Sequence, residues 1–294
     1  MRQLLDPKIL LSIKDLPLAA KTTIDGFMEG FNKSSIKGEG MEFSQYRSYQ
    51  PGDDLRSLDW KMFARSDRYY IRESEIETSI QVRFLVDASN SMNHRDGAIS
   101  KMEYARYLAA SLGWLAQKQG DAIGLDVLQD GKLFLLPAKR DSQHLPRFLH
   151  QLEQIKAAGV FTDPVGYKGI FSGVHRRALL ICITDFYQED NEILDLLQSL
   201  ASLQHEVLVF QLVSDNELQG NFKGFQRLKD LETGVMMPIT GTLQSAYLQQ
   251  RAAYQETIKK ELLNRKIRLH QLNIQEPLDG ALRDYLNQRN KSTR

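Results

Sequence analysis

A single cysteine, Cys182, stands in 294 residues. It lies inside the apolar run ALLICITDF, so it forms no internal disulfide. A reducing compartment is expected, and the thiol reads as a small buried hydrophobe rather than a nucleophile. Charge of one sign is also missing. The 38 basic and 37 acidic residues leave a formal net charge of +1, which provides no global footprint for nucleic acid or an anionic membrane. No apolar run approaches the ~20 residues that span a bilayer. The N-terminal MRQLLDPKILLSIKDLP is interrupted by Pro, Asp and Lys, unlike a signal peptide. A soluble cytoplasmic protein without membrane insertion is expected.

Catalytic signatures are equally scarce. No G-x-S-x-G elbow and no G-x-x-x-x-G-K-[ST] loop occurs. Gly38-x-Gly40 lacks the third glycine of a phosphate-binding loop and reads as a flexible approach to a strand. His94, His144, His150, His175, His205 and His270 form neither H-x-x-x-H nor a Cys–His zinc spacing. Asp53, Asp54 and Asp59-x-Lys61 faintly resemble the acidic pattern of metal nucleases. They are too crowded to sit on separate elements, and the neutral chain lacks the basic footprint.

The composition is 42% hydrophobic and 26% charged, a globular balance. Residues 7–30 read as helix in two pieces broken at Pro17, followed by a polar, Gly-rich loop from Asn32 and a strand-like alternation over 68–77. From residue 78 the rhythm is β then α. Strands are expected at 79–87, 122–128, 132–136, 177–184, 206–213 and 267–274, with a turn at Asp130-Gly131. Helices are expected after the capping box Ser100-Lys-Met-Glu103, near 141–157 and 164–175, and at 192–203, 243–265 and 278–287. Buried apolar strands alternating with amphipathic helices imply an α/β, doubly wound, mostly parallel sheet. Ligands in such sheets bind beyond the carboxyl ends of the strands.

Asp87-Ala-Ser89-Asn-Ser91 follows the first buried strand, and Thr184-Asp185 ends the most apolar one. Thr162 lies in the loop between. If the two strands are neighbours, Asp87 and Asp185 face one crevice, and Ser89 and Ser91 aim their hydroxyls at one point. Carboxylates and hydroxyls are hard ligands, suited to Mg²⁺, Mn²⁺ or Ca²⁺ rather than Zn²⁺. Asp87 taken alone reads equally well as a helix cap.

Asp87-x-Ser89-x-Ser91 with Met92 resembles the metal-ion-dependent adhesion site of von Willebrand factor type A domains, and Thr162 and Asp185 follow in that family's order. The resemblance implies a metal set of Asp87, Ser89, Ser91, Thr162 and Asp185, holding Mg²⁺ first and Mn²⁺ or Ca²⁺ as alternatives, with a partner's acidic residue completing the shell. GEGMEF at 38–43, RSYQPGDD at 47–54, Arg56, Asp59-Trp60 and Ala64-Arg65 resemble the bacterial family catalogued as domain of unknown function 58. Asp121-Ala-Ile-Gly-Leu125, DLETG at 230–234 and PLDGAL at 277–282 extend that likeness. Asp215-Asn216-Glu217 departs from the family's frequent Asp-Pro-x-Glu, a difference expected not to reach the metal. The likeness implies a partner or adaptor of a MoxR-type AAA+ ATPase in complex maturation, metal insertion or stress-linked chaperoning. A metal-dependent hydrolase, phosphatase or nuclease, using the same ion is the alternative. His94, otherwise a solvated loop residue, is its nearest candidate base.

The domains expected are a family-specific helical and β segment over 1–78 and a type A-like domain over 79–294. Within the first, Asp59 is positioned to cap a helix starting at Trp60, whose Trp60, Phe63 and Ala64 are spaced for burial. Arg47, Arg56 and Arg65 match Asp53, Asp54 and Asp59 in number. They read as a structural knot of ion pairs, or alternatively as a partner surface of arginines and aromatics.

Overall fold

The protein is described from a computed structural model over residues 13, 15–35, 46–50, 58, 60–72, 79–129, 132–161, 178–188, 191–220, 227–229, 236–238 and 241–292. Its elements in chain order are α1 (Leu16–Ser35), β1 (Tyr46–Ser48), α2 (Trp60–Ser66), β2 (Tyr70–Arg72), β3 (Gln81–Asp87), β4 (Arg95–Asp96), β5 (Ile99–Ser100), α3 (Lys101–Lys118), β6 (Ala122–Gln129) and β7 (Lys132–Lys139). They continue with α4 (His144–Gln154), β8 (Ala178–Thr184), α5 (Glu192–Ser202), β9 (Glu206–Val213), α6 (Asp215–Gln219), β10 (Arg227–Lys229), β11 (Met236–Pro238), α7 (Gly241–Asn264), β12 (Arg268–Asn273) and α8 (Asp279–Ser292). The chain divides into two compact units, one of residues 28–78 and one of 79–294 together with the chain through Phe27.

The larger unit is built on a six-stranded sheet ordered β12-β9-β8-β3-β6-β7. The first five strands are parallel, and β7 returns antiparallel beside β6. Every residue of β8 is buried, as is nearly all of β3 and β9, which is why their sequences are continuous apolar runs. Helices α5 and α7 cover one face, where Ile193, Leu197, Ile258 and Leu262 cluster with Leu85, Leu180 and Cys182. On α4, Phe148 packs its ring 5.3 Å from that of Phe84, and α4 also packs on α3. The chain first steps outward from β3 to β6, then returns to β8, β9 and β12. The order therefore reverses between β3 and β8, the switch point at which sheets of this kind form their ligand crevice.

Two of the motifs acquire physical reasons. The buried Asp121 carboxylate accepts from the Ile80 amide (3.1 Å) and the Tyr285 hydroxyl (3.4 Å), joining the starts of β3 and β6 to α8. Gly124 lies where the β6–β7 register shifts, and a Cβ there would meet Leu136 O and Ala138 N at 3.0 Å. Glycine is the residue that admits such close backbone approach at a bulge. In PLDGAL, Leu278, Ala281 and Leu282 are fully buried at the start of α8, while DLETG lies outside the described residues.

Several boundaries differ from the sequence expectation. Pro17 does not break a helix. It occupies the first turn of α1, where a missing N–H is tolerated, and Asp15 accepts from the Leu18 amide to begin that turn. The helix then runs on to Ser35, over the start of the stretch read as loop. The helix expected near 141–157 is confined to α4, and the one at 164–175 and the Asp130-Gly131 turn lie outside the described residues.

In the smaller unit, β1 and β2 pair antiparallel with Arg47 opposite Ile71. Helix α2 begins at Trp60, as expected, but its face is not buried: Trp60 is 61% exposed and Ala64 is exposed. The rings instead contact one another. Phe63 stacks on Tyr69 at 4.5 Å, and Trp60 meets Phe63 edge-on at 6.2 Å, a geometry that offsets ring quadrupoles. Arg65 is exposed in the last turn. The Asp53, Asp54, Arg56 and Asp59 arm of the expected ion-pair knot lies outside the described residues.

Candidate functional site

Strands β3 and β8 run parallel as neighbours, with Val86 opposite Ile183. Asp87 and Thr184-Asp185 consequently emerge side by side at the crevice. All are buried. The Asp87 Oδ1 atom accepts from the Ser89 amide (2.9 Å). Its Oδ2 atom accepts from the Thr184 hydroxyl (2.7 Å) and the Gln188 side-chain amide (3.0 Å). The bond to Ser89 closes an Asx-type turn. It does not cap a helix of the α type; α3 is capped by Ser100, whose box with Glu103 is complete. Asp87 thus fixes the turn between β3 and a short 3-10 segment, Asn90–Asn93.

That turn presents the two serines. Ser89 Oγ and Ser91 Oγ are 3.0 Å apart, and Ser91 Oγ donates to Asp185 Oδ1 at 3.0 Å. Asp185 is followed by Phe186 at φ +58°, a left-handed conformation uncommon for a non-glycine residue. This local strain directs the Tyr187 amide back onto Asp185 Oδ1 (3.3 Å). Thr162 lies outside the described residues.

The other oxygen of Asp185 meets a residue the sequence reading passed over. Lys101 Nζ donates to Asp185 Oδ2 (2.9 Å) and to Glu217 Oε1 (2.5 Å), and its side chain is 1% exposed. Its ammonium also lies 4.7 Å from the centre of the Tyr187 ring. Glu217 belongs to a second capping box, in which its Oε2 accepts from the amide and hydroxyl of Ser214 (2.8 and 3.0 Å). Of the Asp215-Asn216-Glu217 stretch, Glu217 thus meets the site through one lysine, while the Asn216 amide donates to Asp96 Oδ2 (3.1 Å). The pattern Ser214-x-x-Glu217 announces a helix start, but nothing local couples it to Lys101. His94 is not a solvated loop residue either; it is half-buried with Nε2 3.1 Å from Ser214 Oγ.

The charges follow from this enclosure. Burial and the adjacent Asp185 charge push the Asp87 carboxyl up from 3.8 to about 6, against the downward pull of the Thr184 and Ser89 hydrogen bonds. Burial raises Glu217 as well, but the Lys101 ammonium, joined by His94 and the Ser214 amide, holds the carboxyl below its ordinary value. Lys101 is raised, since its two carboxylates outweigh the effect of burial. Burial is the main reason that His94 is lowered. Asp185 and Glu217 meet the one ammonium and Asp87 lies beside Asp185, so acids outnumber the ammonium in the cluster and it retains excess negative charge.

The donor set fits a hard divalent cation. Octahedral Mg²⁺ bonds of ~2.1 Å place neighbouring ligands about 3.0 Å apart, the separation found along Ser89 Oγ, Ser91 Oγ and Asp185 Oδ1. Two added positive charges would also balance the cluster. Among the described residues no three His, Cys, Asp or Glu side chains gather as a metal-binding group. The oxygens that converge are two hydroxyls and one carboxylate, with Asp87 behind them.

This arrangement defines a class: an open α/β domain with a hydroxyl–carboxylate site at the sheet's switch point. The chain belongs to the family described as protein of unknown function DUF58, which matches residues 45–262. Uncharacterised proteins of Mycobacterium bovis and Mycobacterium tuberculosis are each 26% identical to it over 262 residues, 87% of this chain and 82% of theirs. Among solved structures, BatB from Bacteroides thetaiotaomicron is 18% identical, with a TM-score of 0.49 over 72% of this chain and 100% of that one. The SpRpn10 VWA domain is 13% identical, with a TM-score of 0.42 over 72% and 95%. Both scores are below 0.5, and the fold assignment rests on this chain's own strand order and register. Among the described residues no helix is long and apolar enough to cross a membrane.

Proposed function

We propose that the protein is a non-enzymatic, cytoplasmic interaction module that binds a partner through a divalent cation held at the ends of β3 and β8. The observation that carries this reading is the 3.0 Å spacing of Ser89 Oγ, Ser91 Oγ and Asp185 Oδ1 within a buried cluster of excess negative charge. Ser89, Ser91 and Asp185 would hold the ion, with Thr162 the further ligand implied by sequence order. Asp87 would orient the serine turn through its three hydrogen bonds. When bound, the ion supplies a Lewis-acidic position for an oxygen ligand. The partner group that suits such a position is an aspartate or glutamate, because hard cations select carboxylates. A MoxR-type AAA+ ATPase, implied by the sequence resemblance, is the first partner to test.

The experiment is a Mn²⁺ titration followed by capture of the cognate ATPase. The full chain is expected to bind one Mn²⁺, and Ser89→Ala/Ser91→Ala to weaken that binding at least tenfold. Capture should fall in EDTA and return with Mg²⁺ or Mn²⁺. Capture that is indifferent both to EDTA and to the double substitution overturns the proposal.

A further inference from the structure

We infer that Lys101 is the resident cation of this site: its ammonium holds Asp185 and Glu217 together, so that the site stays folded whether or not a divalent ion is bound. Lysine is seldom fully buried unless paired, and this one is buried with two acids on three separate elements. It occupies the first position of α3, immediately after the cap residue Ser100. The positive end of a helix dipole disfavours a cation there. Its placement against the dipole is therefore explained by what it meets across the fold, the end of β8 and the turn from β9 into α6.

The two edges of Asp185 serve different partners. Oδ2 faces the ammonium, and Oδ1 faces the Ser91 hydroxyl. An ammonium on the first edge leaves the hydroxyl-facing edge oriented toward the serines. Removing the ammonium from a buried carboxylate leaves uncompensated charge, which is far worse than removing the pair together. Lys101 thus separates the stability of the site from its occupancy, and a divalent ion can leave or enter without unfolding it. The part concerning the divalent ion rests on the function proposed above; the part concerning the ammonium does not.

Thermal melting of the full chain, in EDTA and in excess Mn²⁺, tests the inference alongside direct Mn²⁺ titration. The wild type is expected to bind Mn²⁺ with only the rise in Tm of a few degrees that mass action gives any ligand of the native state, roughly 2–4 °C per kcal/mol. Lys101→Met should melt roughly 10 °C lower in EDTA and recover at least half of that loss with Mn²⁺. If Lys101→Met melts with the wild type in EDTA, the inference is overturned while the metal site stands. If the variant melts low and Mn²⁺ does not restore it, although the wild type binds the ion, the lysine is merely a packing residue and the inference again fails. If neither protein binds Mn²⁺ but the variant still melts low, the proposed metal function falls and the ammonium role is supported. Should Lys101→Met not fold, Lys101→Met/Glu217→Gln carries the test by removing one of the stranded carboxylates. A larger Mn²⁺ response than the wild type's supports the inference, and an equal response refutes it.

Discussion

Replacing Arg83 with methionine tests how far the sheet that supports the site tolerates buried charge. Arg83 lies on β3, four residues before Asp87. Its Nε and Nη2 atoms donate to Asp126 Oδ2 and Oδ1 on β6 at 3.0 and 2.6 Å. The side chains are 8% and 0% exposed, so little water remains to solvate either charge. Taking away the guanidinium leaves a buried carboxylate without its forked partner, a loss of about 3–5 kcal/mol. That corresponds to a Tm decrease of roughly 10 °C for a chain of this class. Replacing both residues, as in Arg83→Met/Asp126→Leu, removes the stranded charge and should be neutral to stabilising relative to the wild type. The pH dependence has a definite sign. Burial pushes the Asp126 carboxyl from 3.8 up to about 6, outweighing the pull of Arg83 downward. Its folded pKa exceeds its unfolded one, so its contribution is complete below 3.8 and is lost as the pH rises through about 6. The loss amounts to about 3 kcal/mol. Urea unfolding at pH 7 and pH 5 provides the assay. The Arg83→Met deficit should shrink at pH 5, where the carboxyl is protonated, and the wild type should gain relative to the double variant. A deficit under about 1 kcal/mol at pH 7, below the range for a broken buried pair, would refute the reasoning. So would a deficit that grows on acidification.

Two further outcomes follow from packing. Cys182 has no exposed surface, and burial together with the Asp87 charge pushes its thiol far above the ordinary range. It should resist a thiol reagent in the native protein and react at once in denaturant. A Cβ at Gly113 would lie 2.5 Å from Phe148 Cε1, so Gly113→Ala should destabilise the α3–α4 contact by about 1–3 kcal/mol through overpacking. A chemical-denaturation midpoint equal to the wild type's would contradict this.

Periodicity located the strands of the sheet because their apolar runs are local, and a strand buried on both faces needs such a run. The Ser100–Glu103 box marked the start of α3 for the same reason: both halves of the bond lie within one turn. Local pattern was less reliable where burial depends on distant surfaces. The spacing of Trp60, Phe63 and Ala64 is that of a buried helical face, yet Trp60 is exposed and its ring is turned toward Phe63. Pro17 looked like a break because its position relative to the helix start depends on Asp15, which caps the turn.

The sequence by itself determined the alternation of strand and helix, the serine turn after β3 and the aspartate after β8, since each is written in a few consecutive residues. Only the tertiary structure decided that β3 and β8 lie side by side and that the order reverses between them, which makes one site of two turns. It also brought Lys101 to Asp185, 84 residues away, and to Glu217, 116 residues away. A lysine at a helix start carries no local sign of its partners. Its burial becomes favourable only when the sheet has assembled and two carboxylates already shielded from water converge on the same point.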